Sequence, residues 1–275
     1  MANRHQRTET FDRPAVPPPP AVQGFPWMRR VIGALILMEA TNRYGHYKLG
    51  YIWAFVEPTV SIMAFYVIFS FIRVRDVDFL MPFLLAGFGS LFAFLSVAGQ
   101  IIAAERSSRS LLGMVQVQLL DVMIARALSE TPKWIVVVVV INAIAVLLGA
   151  SYWPQNGLAS IIVFLMVILL GIGWGLVFGL LVTLVPILST IQPMIGRIWF
   201  VTSGAFYSIE VMPPEVQAIL WYNPLLHLIE TQRAAFQGTP VPDSITLLYP
   251  AFLTLWFLAA GLVLERNIGR VRQKA

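Results

Sequence analysis

Few residues in this 275-residue chain are of a type that does chemistry, and their spacing argues against catalysis. The closest carboxylates, Asp76 and Asp78, share a short polar stretch with Arg73 and Arg75 and read as a solvated charge cluster rather than an acid–base pair. His5, His46 and His227 are too dispersed to hold a metal. Cysteine is absent, which removes disulfides, thiolate metal sites and a cysteine nucleophile. No Gly-x-x-x-x-Gly-Lys-Ser/Thr string occurs, so no P-loop for ATP is expected. Catalytic, cofactor-binding and metal-ligating residues are therefore expected to be none.

Residue types suited to binding and packing are more plentiful. Trp199, Phe206, Tyr207, Trp221, Tyr222 and Phe236 gather within a short stretch of the chain. They read either as an interfacial aromatic belt or as a stacking surface for sugar rings, whose apolar faces pack on aromatic planes. Gly171, Gly175 and Gly179 recur every four residues and form a ridge on which another helix can approach closely. Gly87-Phe88-Gly89 reads as a packing feature. Arg126, Glu130 and Lys133 share one helical face. Glu57 lies near the start of an apolar run, at headgroup depth, and reads as structural.

The elements that position these residues follow from composition. Hydrophobic residues make up 58% of the chain and charged residues only 12%, against about a quarter in soluble domains. Mean hydropathy is +0.76, and the excess sits in long uncharged runs. A run of about 20 apolar residues crosses the hydrocarbon core as a helix, and the alternation that a barrel needs is missing. The expected fold class is an all-α polytopic membrane protein with six transmembrane helices. The centres of most runs carry no charge, which argues against an ion-coupled mechanism.

Along the chain, residues 1–26 form a polar tail ending in the Pro17–Pro20 tract, expected as a cytoplasmic segment with a stiff polyproline spacer. Residues 27–48 are expected as an amphipathic helix lying in the cytoplasmic interface, with Glu39, Asn42, Arg43 and His46 on one face. Residues 49–265 hold the spans: 51–72, 79–104, about 134–152, a fourth within 158–188, roughly 194–209, and 247–264. Residues 105–133 are expected as a polar connector and 266–275 as a basic cytoplasmic tail. Between the fifth and sixth spans, 216–222 and 225–236 read as two short re-entrant helices, started by Pro213-Pro214, broken by Asn223-Pro224 and ended by Gly238.

Charge fixes the expected orientation. With both termini inside, sixteen of the 19 Lys and Arg residues are cytoplasmic and three, Arg73, Arg75 and Arg233, are outside. An odd number of spans would spoil this asymmetry. The net charge of +5 is explained by the same flanking residues, so no nucleic-acid partner is expected.

Three strings carry a family resemblance. They are Arg43-Tyr44-Gly45-His46-Tyr47-Lys48-Leu49-Gly50-Tyr51-Ile52-Trp53-Ala54 followed by Glu57-Pro58; Asp121-Val122-Met123-Ile124-Ala125-Arg126-Ala127-Leu128; and Trp221-Tyr222-Asn223-Pro224-Leu225-Leu226-His227. Together they resemble the type-2 ABC exporter permeases for polysaccharides, those of the KpsM type in particular, over about residues 27–265. The Pro-rich tail departs from that pattern. The resemblance implies a homodimer in the bacterial inner membrane, two copies of a cytoplasmic ABC ATPase (KpsT-like) that bind ATP and Mg, a periplasmic adaptor (KpsE-like) and a lipid-linked capsular polysaccharide as cargo. It also implies a coupling segment, 106–121, whose candidate residues are Arg106, Arg109, Leu111, Leu112, Gln116, Leu120 and Asp121. A gate at the interface helix would use Arg43, Tyr44, Lys48, Trp53 and Glu57. The six aromatics named above would line the glycan channel, and the ridge glycines or the fifth span would form the dimer seam. Competing expectations are a type-2 permease for O-antigen, teichoic acid or a drug, and an enzyme of lipid-linked sugar synthesis, which lacks the carboxylate pair or metal motif it would need.

Overall fold

A computed structural model describes residues 30–38, 50–72, 77–104 and 118–272, with side chains at 50–55, 57, 72, 77–79 and 269–272 excepted. Regular structure among these residues is helical throughout. Residues 30–38 form α1, whose Ile32 and Leu35 are buried in the core while Leu37 is exposed. Then come α2 (Gly50–Ile72), α3 (Val77–Leu84), a π-helical turn (Leu85–Gly89) and α4 (Ser90–Ile102). They are followed by α5 (Leu119–Leu147), α6 (Gly157–Leu184), α7 (Leu188–Thr202), α8 (Pro214–Leu220), α9 (Pro224–Gln237) and α10 (Leu248–Arg272).

Four helical stretches among the described residues are long and apolar enough to cross a membrane: Leu80–Ile102, Leu119–Leu147, Gly157–Leu184 and Leu248–Ile268. Helix α2 has a shorter apolar stretch, Pro58–Phe71. Helix α7 has 15 residues and contains Pro193. Its length, about 22 Å, falls short of a hydrocarbon core of about 30 Å.

Three boundaries differ from those read in the sequence. The third long helix begins at Leu119, not near 134, so the second half of the expected connector is part of one 29-residue helix. A capping box starts it: the Gln118 N–H donates to Asp121 Oδ2 at 3.1 Å, and the Gln118 side chain accepts from the backbone at Asp121. Two of the charges that suggested a connector, Arg126 and Glu130, are instead buried and bonded to α4. Helix α7 starts and stops earlier than expected, because Gly204 turns the chain with φ +73°. The last helix continues past Leu264 into the basic tail, to Arg272.

Helix α6 lies at the centre, packed along α4 on one side and α10 on the other. Its glycine ridge faces α4. A Cβ at Gly171 would stand 3.1 Å from the Phe94 carbonyl oxygen, one at Gly175 2.9 Å from Ile101 Cβ, and one at Gly179 3.2 Å from Ile102 Cα. That close approach lets backbone and small side chains gain dispersion contacts where no water-driven effect operates. The ridge is thus occupied within the chain and is not open to a second copy.

Candidate functional site

The short helices α8 and α9 and the loop before them form the most polar buried region described. Local sequence dictates their ends. Pro214 and Pro224 occupy first-turn positions, where a missing N–H costs nothing. Asn223 Oδ1 accepts from the Leu225 N–H at 2.9 Å, and Gly238 closes α9 in the left-handed conformation at φ +67°. Every residue from Pro224 to Phe236 is buried, so α9 is an internal post rather than a surface helix.

That burial encloses two charges. Glu230 and Arg233, one turn apart on α9, pair at 3.0 Å with side chains 5% and 4% exposed. Arg233 also donates to the carbonyls of Gly204, Ala205 and Tyr207 at 2.7, 2.8 and 2.7 Å, and its guanidinium lies 3.6 Å from the Phe83 ring centre. Glu230 accepts from the Ile209 N–H at 2.9 Å. The loop 204–209 is wrapped around this pair. It also approaches the π-helical turn so closely that a Cβ at Gly87 would lie 2.2 Å from the Ala205 carbonyl oxygen.

His227 braces the other end of α9. Its Nδ1 accepts from the Thr246 N–H at 3.2 Å, so Nε2 carries the proton and donates to the Trp221 carbonyl at 2.8 Å. Burial lowers the imidazole pKa below its usual value, and the bond to Trp221 offsets only part of this.

The expected aromatics fall into separate groups. Trp199 packs between Phe94 and Trp174, with ring centres 4.6 and 5.4 Å away. Phe206 and Tyr207 continue a ladder running from Phe65 through Phe88 and Phe200. Trp221 stacks on Tyr249 at 5.1 Å and stands edge-on to Tyr222 and His227. Phe236 is buried elsewhere, on the α5–α6 side. Trp221 and Tyr222 together line an open groove of about 370 Å³ with Gln217 and Ser244. Tyr222 is 71% exposed. Such a groove offers ring faces plus exchangeable hydrogen bonds and no fixed charge.

Of the residues expected to couple to an ATPase, Leu120 and Asp121 lie in the first turn of α5, half-buried and buried respectively. Arg106, Arg109, Leu111, Leu112 and Gln116 lie outside the described residues, as do Arg43, Tyr44 and Lys48. Trp53 and Glu57 fall in α2, with side chains outside those described. Below Asp121, the charged face of α5 ties it to α4: Arg126 Nη1 donates to the Gln100 carbonyl at 3.1 Å, Ser96 Oγ donates to Glu130 at 2.6 Å, and Lys133 pairs with Glu130. No group of His, Asp and Glu able to hold a metal occurs among the described residues.

Sequence reading missed Glu230, Arg233 and Gln232 as site residues. The Glu–Arg pair at i,i+3 inside a short helix between apolar spans was the available signal.

Among the described residues, the helical fold with several apolar helices and a polar, aromatic helical hairpin buried beside them is that of a polytopic membrane protein. The chain belongs to the ABC-2 type transporter family, whose model matches residues 30–236, the family already indicated by the three strings. It is 29% identical to the polysialic acid transport protein KpsM of Escherichia coli over 249 residues, covering 90% of this chain and 96% of that protein. It is also 30% identical over 236 residues to the capsule polysaccharide export inner-membrane protein CtrC of Neisseria meningitidis serogroup B, covering 82% and 85%. Against the capsule polysaccharide export inner-membrane protein BexB of Haemophilus influenzae it is 25% identical over 252 residues, covering 91% and 93%.

Proposed function

We propose that this chain is the permease of an ATP-driven exporter that moves lipid-linked capsular polysaccharide outward across the inner membrane. The observation that carries the reading is the similarity to the polysialic acid transporter KpsM along 96% of that protein's length. Two copies of the chain form the pore, each engaged by a separate ABC ATPase that binds ATP and Mg, and a periplasmic adaptor receives the polymer. Six spans are assigned to α2, the α3–α4 element, α5, α6, α7 and α10, the short α7 crossing where the bilayer thins or a second copy stands beside it, with both termini cytoplasmic, as the lopsided distribution of Lys and Arg supports. Helix α7, which has no buried residue, is the face offered to the second copy.

Closure of the ATPase pair pushes on the segment 106–121. Helix α5 is one continuous helix of about 43 Å from Leu119, with Pro132 inside it, so the push is carried along its axis. Arg126 and Glu130 carry α4 with it. Helix α4 leads through the π-turn to Gly87, beside the Ala205 loop that Arg233 holds. This chain of contacts supports a mouth, framed by α8 and α9, that opens when the cytoplasmic ends move. A processive polymer must be held weakly at each position, and the Trp221–Tyr222 groove supplies stacking without charge.

A second cargo, O-antigen, is favoured by the 23% identity over 246 residues to the O-antigen export system permease protein RfbA of Myxococcus xanthus. Deletion of the gene in its own host tests both. Loss of surface capsule with lipid-linked capsular glycan accumulating inside is expected. Normal capsule with accumulated O-antigen would transfer the assignment to that cargo, and normal export of both would overturn it.

A further inference from the structure

Between α5 and α6, on the side of the fold that carries α9, lies a cleft of about 280 Å³ that no part of the transport reading uses. Its walls are Ile135, Val139, Ile161 and Leu165, all exposed at the protein's perimeter, with Phe164 behind them. Its polar residues are gathered at one end. Asn142, Ser160 and Gln232 line it there, and the half-exposed Trp153 stands beside them.

The polarity has a direction. Asn142 and Ser160 lie within a turn or two of the 148–156 connection, at the depth where headgroups meet hydrocarbon and tryptophan concentrates. Ile135 lies seven residues further along α5 and Leu165 five further along α6, about 10 and 7 Å deeper. The cleft is polar where a lipid is polar and apolar where a lipid is apolar. Its volume is just under the roughly 300 Å³ at which pockets for drug-sized molecules begin, which suits one chain rather than a whole lipid.

One polar group in it is unsatisfied. Gln232 is 2% exposed; its Nε2 donates to Ser160 Oγ at 2.7 Å, and its Oε1 has no partner. Turning the amide over does not cure this, because Ser160 then serves the oxygen and the nitrogen is left. A buried amide without a partner is unfavourable. A hydroxyl, both donor and acceptor, satisfies either end.

We propose that this cleft is a binding site for a membrane glycerolipid whose polar end carries a hydroxyl. One acyl chain lies along Ile135, Val139 and Leu165, and the hydroxyl hydrogen-bonds to the Gln232 amide. The lipid wedges α5 against α6 beside α9, so it sits where it stiffens the base of the hairpin.

The test uses the full-length protein reconstituted in phosphatidylcholine vesicles with a trace of a lipid bearing a photoactivatable diazirine on its acyl chain. The probe is either phosphatidylglycerol, which has headgroup hydroxyls, or phosphatidylcholine, which has no donor. Labelled positions are mapped by mass spectrometry. Phosphatidylglycerol is expected to label Val139, Ile161 and Leu165 well above the more exposed Phe252 and Leu255 of α10, and phosphatidylcholine is expected to show little such excess. Gln232→Leu is expected to lower the preference for phosphatidylglycerol about ten-fold, as for loss of one hydrogen bond to a buried group. Leu165→Trp, which fills the cleft from its lipid-facing wall without touching the amide, is expected to bring phosphatidylglycerol labelling of Val139 and Ile161 down to the level of the α10 positions. Equal labelling of cleft and α10 positions, equal labelling by the two lipids, or an unchanged preference in Gln232→Leu would each overturn the proposal. So would protection of the cleft from both probes, the result of a second protein helix seated there.

Discussion

Arg233 and Glu230 share a turn of a buried helix and hold one another at 3.0 Å, while between them they bind backbone groups of four residues in a loop more than 20 positions earlier. A buried pair is weak evidence for stability in itself, since desolvation of both ions offsets their attraction. Its effect here is geometric. The carbonyls of Gly204, Ala205 and Tyr207 point inward at one guanidinium, which fixes the loop that presents Phe206 and Tyr207.

Removing one partner should therefore cost far more than removing both. Arg233→Met strands the Glu230 carboxylate and three carbonyls, and is expected to lower stability by about 3–5 kcal/mol. Adding Glu230→Met should restore part of that loss, because no uncompensated charge remains. Thermal unfolding in detergent of the single and double variants measures the difference. A double variant less stable than Arg233→Met would show that the charge pair is not what the loop is folded around.

Gly87 provides a second handle on the same junction. With Ala205 O only 2.2 Å from where a Cβ would stand, Gly87→Ala must push the loop away from the π-turn. Overpacking of this kind costs about 1–3 kcal/mol. A Cβ at Gly99, in the same span, would meet nothing within 4 Å, and Gly99→Ala should be neutral or mildly stabilising. Export should follow the same order, with Gly87→Ala impaired and Gly99→Ala normal. Equal behaviour of the two in melting and export would refute the close contact.

These contacts mark where sequence reading stops. The ends of α8 and α9 were legible because their signals are local: Pro213-Pro214, Asn223-Pro224 and Gly238 each act within a turn. The long apolar helices were legible because hydropathy averages over a span. The start of α5 was not, since Asp121, Arg126, Glu130 and Lys133 count as polar whether they face water or a neighbouring helix. Only the tertiary contacts with Gln100 and Ser96 reveal that Arg126 and Glu130 are internal. For the same reason Arg233 reads in sequence only as one of three outer basic residues, whereas the fold makes it the centre of a buried network. The aromatics were legible as a sequence cluster, yet the fold distributes them over separate surfaces.

That distribution sharpens the stacking idea. Tyr222 lines the open groove and is largely exposed, so Tyr222→Ala should leave the melting temperature within about 1–2 °C, as surface changes do. If sugar rings stack there, export should fall several-fold in Tyr222→Ala and recover in Tyr222→Phe, which keeps the ring. Trp221→Ala removes the stack on Tyr249 as well and should lose both stability and export. Trp199→Ala and Tyr207→Ala act on internal packing, so their export defects should track their melting temperatures. Normal export in Tyr222→Ala at unchanged stability would remove the groove from the polymer's path.

His227 gives the fold an acid sensitivity whose sign follows from its hydrogen bonds. The Thr246 N–H occupies the lone pair of Nδ1, and a proton can be added there only by breaking that bond. Burial therefore holds the folded-state pKa below the value of about 6.5 that the imidazole has in the unfolded chain. Above that value both states are neutral and His227 contributes no slope. As pH falls through it, the unfolded chain takes up a proton that the folded chain refuses, and stability declines until the depressed folded pKa is passed. The melting temperature of the wild type should thus drop between pH 7.5 and 5 by more than that of His227→Gln, whose amide does not titrate in this range. A wild type and variant with parallel pH profiles would mean that the imidazole is protonated without cost, and that the bond from Thr246 does not hold the base of α9.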